Sequence, residues 1–148
     1  KRMKDQYILI GVTENGEIAG LVNARLRDED VAISLHSQVF KRRVGAGTPL
    51  YFAKMEYAFE QLGVEEWWPT FESHYGYNMG AVKTAAQQKP WPEYQHELGG
   101  GRVFYNTKDQ YENYIKPTHE KLFGERPVSE DLLEATKNPE LPDIESQF

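Results

Sequence analysis

The apolar pattern of this chain changes period decisively across Gly45-Ala46-Gly47. Upstream, Val31, Ile33, Leu35 and Ser37 alternate with their neighbours as a strand over residues 31–40 requires. Downstream, Leu50, Ala53, Met55, Tyr57, Ala58 and Leu62 give one apolar helix face over residues 48–62, and Gly63 is a suitable stop. Thr48 is expected to cap this helix, with Pro49 in its first position. A strand that enters a helix through two glycines restricts the chain to folds in which sheet and helix share one layer contact. The same turn brings several N–H groups toward one point beside a helix start that carries partial positive charge, an arrangement suited to a pyrophosphate. The basic cluster Lys41, Arg42 and Arg43 stands next to it. An isolated G-x-G is equally an ordinary strand-to-helix turn, so its meaning depends on its surroundings.

Those surroundings are regular. Residues 6–13 read as a buried strand, Asn15-Gly16 supplies a two-residue hairpin turn, and residues 18–27 return as a second strand. Asp28-Glu29-Asp30 forms a polar turn before the third strand. Beyond the helix, residues 65–72 form an aromatic strand with Trp67, Trp68 and Phe71. Residues 78–88 read as a short helix that Lys89-Pro90-Trp91-Pro92 cannot continue. Two further strands, 94–98 and 102–105, flank Gly99-Gly100-Gly101. The order β-β-β-α-β-α-β-β predicts an α/β (α+β) fold with a mixed sheet. Residues 1–106 form the main domain, 107–137 a helical C-terminal extension, and 138–148 an acidic extended or disordered tail.

With 148 residues the chain suffices for one domain. It contains no cysteine, which excludes disulfides, thiolate metal sites and cysteine nucleophiles, and its four histidines are too scattered to compel a metal. No apolar run approaches membrane-spanning length and no signal-peptide pattern opens the chain, so a cytoplasmic protein with no membrane partner is expected. Lys1 in place of Met leads to the expectation of a processed, trimmed or missing start. The formal charge of −6 argues against nucleic acid. Residues 125–148 hold seven acidic and two basic residues, so −5 of that charge resides there, as in a solvated arm or a docking segment for a basic partner.

The stretch Arg42-Arg43-Val44-Gly45-Ala46-Gly47 matches Arg/Gln-x-x-Gly-x-Gly/Ala between a strand and a helix, and Asn78-Met79-Gly80-Ala81 matches Asn-x-x-Ala at a later helix start. Together with the preceding hairpin, over roughly residues 6–106, the pattern resembles the GCN5-related N-acetyltransferase (GNAT) superfamily. The resemblance implies a mostly antiparallel sheet with flanking helices and acetyl-CoA, or another acyl-CoA, as cosubstrate without a metal. It implies that the backbone of Arg43, Val44, Gly45, Ala46, Gly47 and Thr48 holds the pyrophosphate, with Arg42 nearby. It further implies that Gln38, Val39 and Phe40 pair with the pantetheine like an extra strand, and that Asn78 contacts its arm. The reaction implied is acyl transfer to an amine of unknown identity, small molecule or protein.

The sequence departs from that pattern in three places. Ala85 stands where the superfamily usually has the tyrosine that protonates the thiolate, with Tyr75, Tyr77, Tyr94 and Tyr105 as substitutes, of which Tyr105 is taken. Val39 stands in place of the usual proline. The superfamily's first strand and first two helices have no room before Lys1. Either they belong to a missing segment, or a shortened acceptor site is rebuilt by the C-terminal extension or by another subunit. His36, on the strand entering the glycine turn, and Glu72 are the base candidates, ahead of His74, His96 and Glu97. Each has an ordinary structural or solvated alternative, and Trp67, Trp68, Trp91, Tyr75 and Tyr77 could wall an acceptor, fill a core or face another subunit. The competing function is a noncatalytic GNAT-like module in a larger, phage-type assembly. Such a module would contact a partner or a further copy through the C-terminal extension.

Overall fold

The computed structural model describes residues 6–13, 17–41, 45–96 and 101–124. The first three strands, β1 (Gln6–Val12), β2 (Ile18–Leu26) and β3 (Val31–Val39), form an antiparallel meander. β4 (Glu66–Trp68) pairs in parallel with the start of β3. Two short strands follow, β5 (Gln87–Gln88) and β6 (Phe104–Thr107), giving a six-stranded sheet in the order β1-β2-β3-β4-β6-β5. The sheet is mixed and mostly antiparallel, as the strand order predicts.

Alternation along the strands sorts side chains to two faces. Ala24, Ala32 and Trp67 point to one face and are fully buried there with Met55, Ala58 and Ile115. Val31 and Trp68, their immediate neighbours in sequence, point to the other face and meet Val103. The first face is covered by α1 (Gly47–Glu56), which widens into a π turn over Tyr57–Gln61 and stops where Gly63 takes φ +70°. The C-terminal helical run covers α1 in turn. Phe52 stacks on His119 at 4.6 Å between ring centroids and Phe59 on Tyr111 at 4.8 Å. α1 is therefore buried on two sides, which explains why it needs Phe52 and Phe59 besides the face read from sequence.

The short α2 (His74–Tyr77) starts on Ser73, whose Oγ accepts from the Gly76 N–H at 3.0 Å, and widens over Asn78–Val82. The predicted helix 78–88 ends there, because tertiary hydrogen bonds outcompete its continuation. The buried Thr84 hydroxyl donates back to the Gly80 carbonyl at 2.7 Å, and Ala85 adopts φ +53°. The Thr84 and Ala85 carbonyls accept from Gln110 Nε2 at 3.1 and 2.6 Å. Residues 87–88 then join β6 as β5 instead of helix. The predicted strand 65–72 is shorter, since Pro69 follows Trp68 without an N–H to offer the ladder. Among the described residues, the predicted hairpin arms show one bridge, between Gln95 and Arg102, and β6 begins at Phe104.

α3 (Lys108–Gln110) starts on Thr107, widens over Tyr111–Ile115, and continues as α4 (Lys116–Phe123). The wide turn immediately precedes Pro117, whose missing N–H and ring would otherwise break the helix. Asn15-Gly16, Arg42, Arg43, Val44, Glu97, Leu98, Gly99, Gly100 and the whole acidic tail lie outside the described residues. Among the described residues no helix is long and apolar enough to cross a membrane.

Candidate functional site

β3 and β4 are paired only over Val31–Ile33 against Glu66–Trp68, and then they separate. Two local features open them. On β4, Pro69 ends the ladder. On β3, the pairing register with β2 shifts so that Leu35 and His36 together oppose Asn23, a bulge that bends the strand. The extra residue leaves His36 without a regular partner, and its N–H donates instead to Asn23 Oδ1 at 2.9 Å. Among the described residues, no strand faces the outer edge of β3 beyond Ile33.

The gap continues as a cavity of about 580 Å³ between β3, the first turn of α1 and the segment around α2. His36, Gln38, Val39, Gly47, Thr48 and Glu72 all line it. Gly45 and Ala46, in the turn before α1, are not part of its lining, and Phe40, Asn78 and Tyr105 sit apart from it. Phe40 is exposed past the end of β3, with its N–H on the Ala19 carbonyl at 2.8 Å. Asn78 opens the wide turn after α2 and bonds His74 Nε2 at 3.1 Å, beside the cavity-lining Met79. Tyr105 lies on β6, where its hydroxyl donates to Gln87 Oε1 at 2.6 Å and its ring carries Lys89 Nζ at 4.1 Å.

The glycine turn delivers the chain directly into α1. Gly45 takes φ +70°, a left-handed conformation that other residues rarely adopt. The helix starts two residues earlier than expected, with Ala46 as N-cap and no side chain capping it. Thr48 is therefore not the cap: inside the first turn, its hydroxyl points to Met79 Sδ at 3.9 Å. Pro49 falls within the first turn, where a missing N–H breaks no bond. The uncapped N–H groups of this turn border the cavity through Gly47 and Thr48.

The wall shared by β3 and α1 holds a charged residue that nothing in the local sequence marks. Lys54 is 0% exposed, and its Nζ donates to Ser37 Oγ at 2.9 Å and to the His36 carbonyl at 3.3 Å. The rings of Tyr51 and Trp67 flank it at 5.3 and 5.8 Å. Burial pulls its pKa down to about 7. Tyr51 lines the same cavity, and burial pushes its phenol well above the usual range. The Trp67 indole N–H opposes that effect, although neither group completes a hydrogen bond.

A second cavity of about 210 Å³ lies on the opposite face of the sheet, around Trp68, Tyr94 and Arg27. It shares Leu35, Thr70 and His96 with the first, so the two meet where β3 and β4 part. His96 thus stands at the junction, a position that its loop location in the sequence does not signal.

No protein-family model matches the sequence, and no curated protein matches it. Among solved structures the likeness is consistent. An acetyltransferase from Streptococcus agalactiae superposes with TM-score 0.53 at 14% identity, over 69% of this chain and 66% of its own. A GNAT family acetyltransferase from Elizabethkingia anophelis with acetyl-CoA bound gives TM-score 0.53 at 14% identity, over 72% and 78%. Tetrahymena GCN5 gives 0.52 at 16%, over 75% and 73%.

The chain has the GNAT fold.

Identities at this level establish architecture and leave chemistry to the residues. Within the GNAT fold of this chain, the opened pair is β3 and β4, the glycine turn is 45–47, and the helix beneath the cleft is α1. Ala85, the position that the resemblance assigns to the superfamily's tyrosine, has a left-handed backbone and no proton to give.

Proposed function

We propose that this chain binds an acyl-CoA in the cleft between β3 and β4 and transfers the acyl group to an amine. The observation that carries the reading is the continuity of three features: an unpaired strand edge from Ser34 to Val39, a 580 Å³ cavity, and an uncapped helix start at Gly47. An extended chain with amides suits such an edge, because it can add as a strand. A pyrophosphate suits the helix start, which supplies N–H donors and partial positive charge. Gln38 and Val39 lie at the strand end, Gly45 to Thr48 at the turn, and Arg42, Arg43 and Val44 complete the cradle in this reading.

Direct transfer requires that both reactants meet. The second cavity gives an amine access to the junction at Leu35, Thr70 and His96. There the amine nitrogen attacks the thioester carbonyl, the carbon–sulfur bond breaks, the amine gives up a proton and the thiolate takes one. His36 and Glu72, both on the cavity wall, are the bases proposed, and His96 joins them by its position. Tyr105 is occupied on Gln87 outside the cavity lining, so the reading no longer assigns it the acid role.

Titration calorimetry with acetyl-CoA tests the binding step, and absence of heat at high micromolar ligand overturns it. A second reading, binding without turnover as in a noncatalytic module, draws support from Ala85. Saturable binding with no release of free thiol across a panel of amines would favour it.

A further inference from the structure

We propose that Lys54 is a positioning residue for the cleft: with Asn23 it clamps the bulged residue His36 by its two backbone groups and so sets the free edge of β3. This rests on the reading of that edge as the acyl-CoA site. A bulge leaves one residue outside the ladder, and buried backbone polar groups need partners. Here the N–H of His36 goes to Asn23 Oδ1 at 2.9 Å and its carbonyl receives Lys54 Nζ at 3.3 Å. The same ammonium holds Ser37 Oγ at 2.9 Å. His36 and Ser37, both within the open edge of β3, are therefore held by side chains, one from β2 and one from α1.

A lysine is an expensive choice for this position. The side chains that flank it are uncharged at neutral pH: Tyr51 on α1, Tyr7 on β1, whose hydroxyl donates to the Lys54 carbonyl, and Trp67 on β4. β3 contributes a carbonyl and a hydroxyl. No carboxylate enters the balance; burial alone moves its proton affinity. A methionine would fill the same space without that penalty, so core packing does not account for the residue. Fixing the bulge does. An ammonium makes stronger hydrogen bonds than an amine. With its pKa near 7, the clamp weakens as pH rises from 6 to 8.5.

Two measurements on the full chain test this, with acetyl-CoA as probe. The first, amide hydrogen exchange, needs no ligand. In Lys54→Met the amides of His36, Ser37 and Gln38 should exchange at least tenfold faster, while β1 and the first half of β2 keep wild-type protection. In the wild type the protection of those three amides, corrected for intrinsic rates, should fall between pH 6 and 8.5, which covers the case in which the variant does not fold. The second is calorimetry: Lys54→Met should bind acetyl-CoA about tenfold more weakly than wild type at pH 6.5, and the ratio should shrink at pH 8.5. Unchanged exchange at His36–Gln38 overturns the clamp, whether or not any ligand binds. Altered exchange in a wild-type protein that fails to bind acetyl-CoA keeps the clamp and overturns the acyl-CoA reading instead. Tight binding that Lys54→Met leaves equal at both pH values overturns the link between clamp and cleft.

Discussion

Lys54→Met should change the pH dependence of stability by an amount that the structure allows to be worked out. The side chain is fully buried and burial lowers its pKa from 10.5 to about 7. Between those values the unfolded chain binds a proton that the folded chain does not, so wild-type stability rises with pH across that window. Below about 7 both states are protonated and this contribution is constant. At roughly 1.36 kcal/mol per pH unit, the penalty for the buried charge is about 5 kcal/mol at pH 6 and about 2 kcal/mol at pH 9. Methionine carries no such contribution but leaves Ser37 Oγ and the His36 carbonyl without their donor, a loss of about 1–3 kcal/mol. The difference in unfolding free energy between Lys54→Met and wild type should therefore fall by about 3 kcal/mol from pH 6 to pH 9, favouring the variant at the acidic end. Urea unfolding followed by tryptophan fluorescence at constant ionic strength measures it. The range should stop short of pH 10. Tyr7, Tyr51 and Tyr111 have pKa values raised by burial, so their stabilising effect, intact below 10, is lost once the unfolded chain ionises above that pH. Parallel curves for the two proteins would refute the argument, since they would mean that the Lys54 ammonium reaches water.

Glu60 accepts from Tyr111 Oη at 2.8 Å and Lys116 Nζ at 2.7 Å; burial works to raise its pKa, and these bonds outweigh it and lower it. Glu60→Gln should cost about 1 kcal/mol or less at pH 7, given solvent screening, and the deficit should vanish as pH falls through the lowered pKa. A deficit that persists at pH 2 in urea unfolding contradicts this. Asn106, fully buried, donates to the Thr84 carbonyl at 3.1 Å and to Gln110 Oε1 at 3.0 Å, fastening α3 to the turn at Ala85. Asn106→Ala should destabilise by about 1–3 kcal/mol, read as a shift in the urea midpoint, and a neutral substitution would remove that network as the reason for the turn. His36→Ala should lower acyl transfer to an accepted amine by about a hundredfold, measured as the turnover rate at saturating acetyl-CoA. An unaltered rate removes His36 as base.

The strands up to Val39 and the start of α1 are legible because each follows one period and is bounded by strong signals: alternation in β2 and β3, and Gly45-Ala46-Gly47. The resemblance to GNAT proteins rests on those residues together with Asn78-Met79-Gly80-Ala81. The cleft itself is less legible. It depends on where β3 and β4 stop pairing, and only the pairing of Leu35 and His36 against Asn23 reveals the bulge. Pro69 after Trp67-Trp68 is the one local sign of an early end to β4. β5 was hidden because Gln87-Gln88 has poor strand propensity and is held in place by β6. Lys54 sits between Phe52 and Met55 on a helix whose polar residues would ordinarily face water. Its burial follows from α1 being covered on both sides, which no local pattern encodes. The hydroxyl of Tyr105 was a reasonable acid by residue type, but its partner Gln87 comes from a strand the sequence does not announce.

The central claim is that the opened strands and the glycine turn form one acyl-CoA site. Gly47 lines the cavity, and a Cβ there would lie in ordinary contact with Val39 Cγ2 at 3.5 Å, so a larger side chain can be introduced without breaking the backbone. Gly47→Trp should fold with a wild-type melting temperature and fill the space beside the helix start. Titration of acetyl-CoA into wild type and Gly47→Trp is the decisive measurement. Saturable binding to wild type and loss of at least a hundredfold in affinity in the variant are predicted. Equal affinity in the two proteins, or no binding to wild type, contradicts the account.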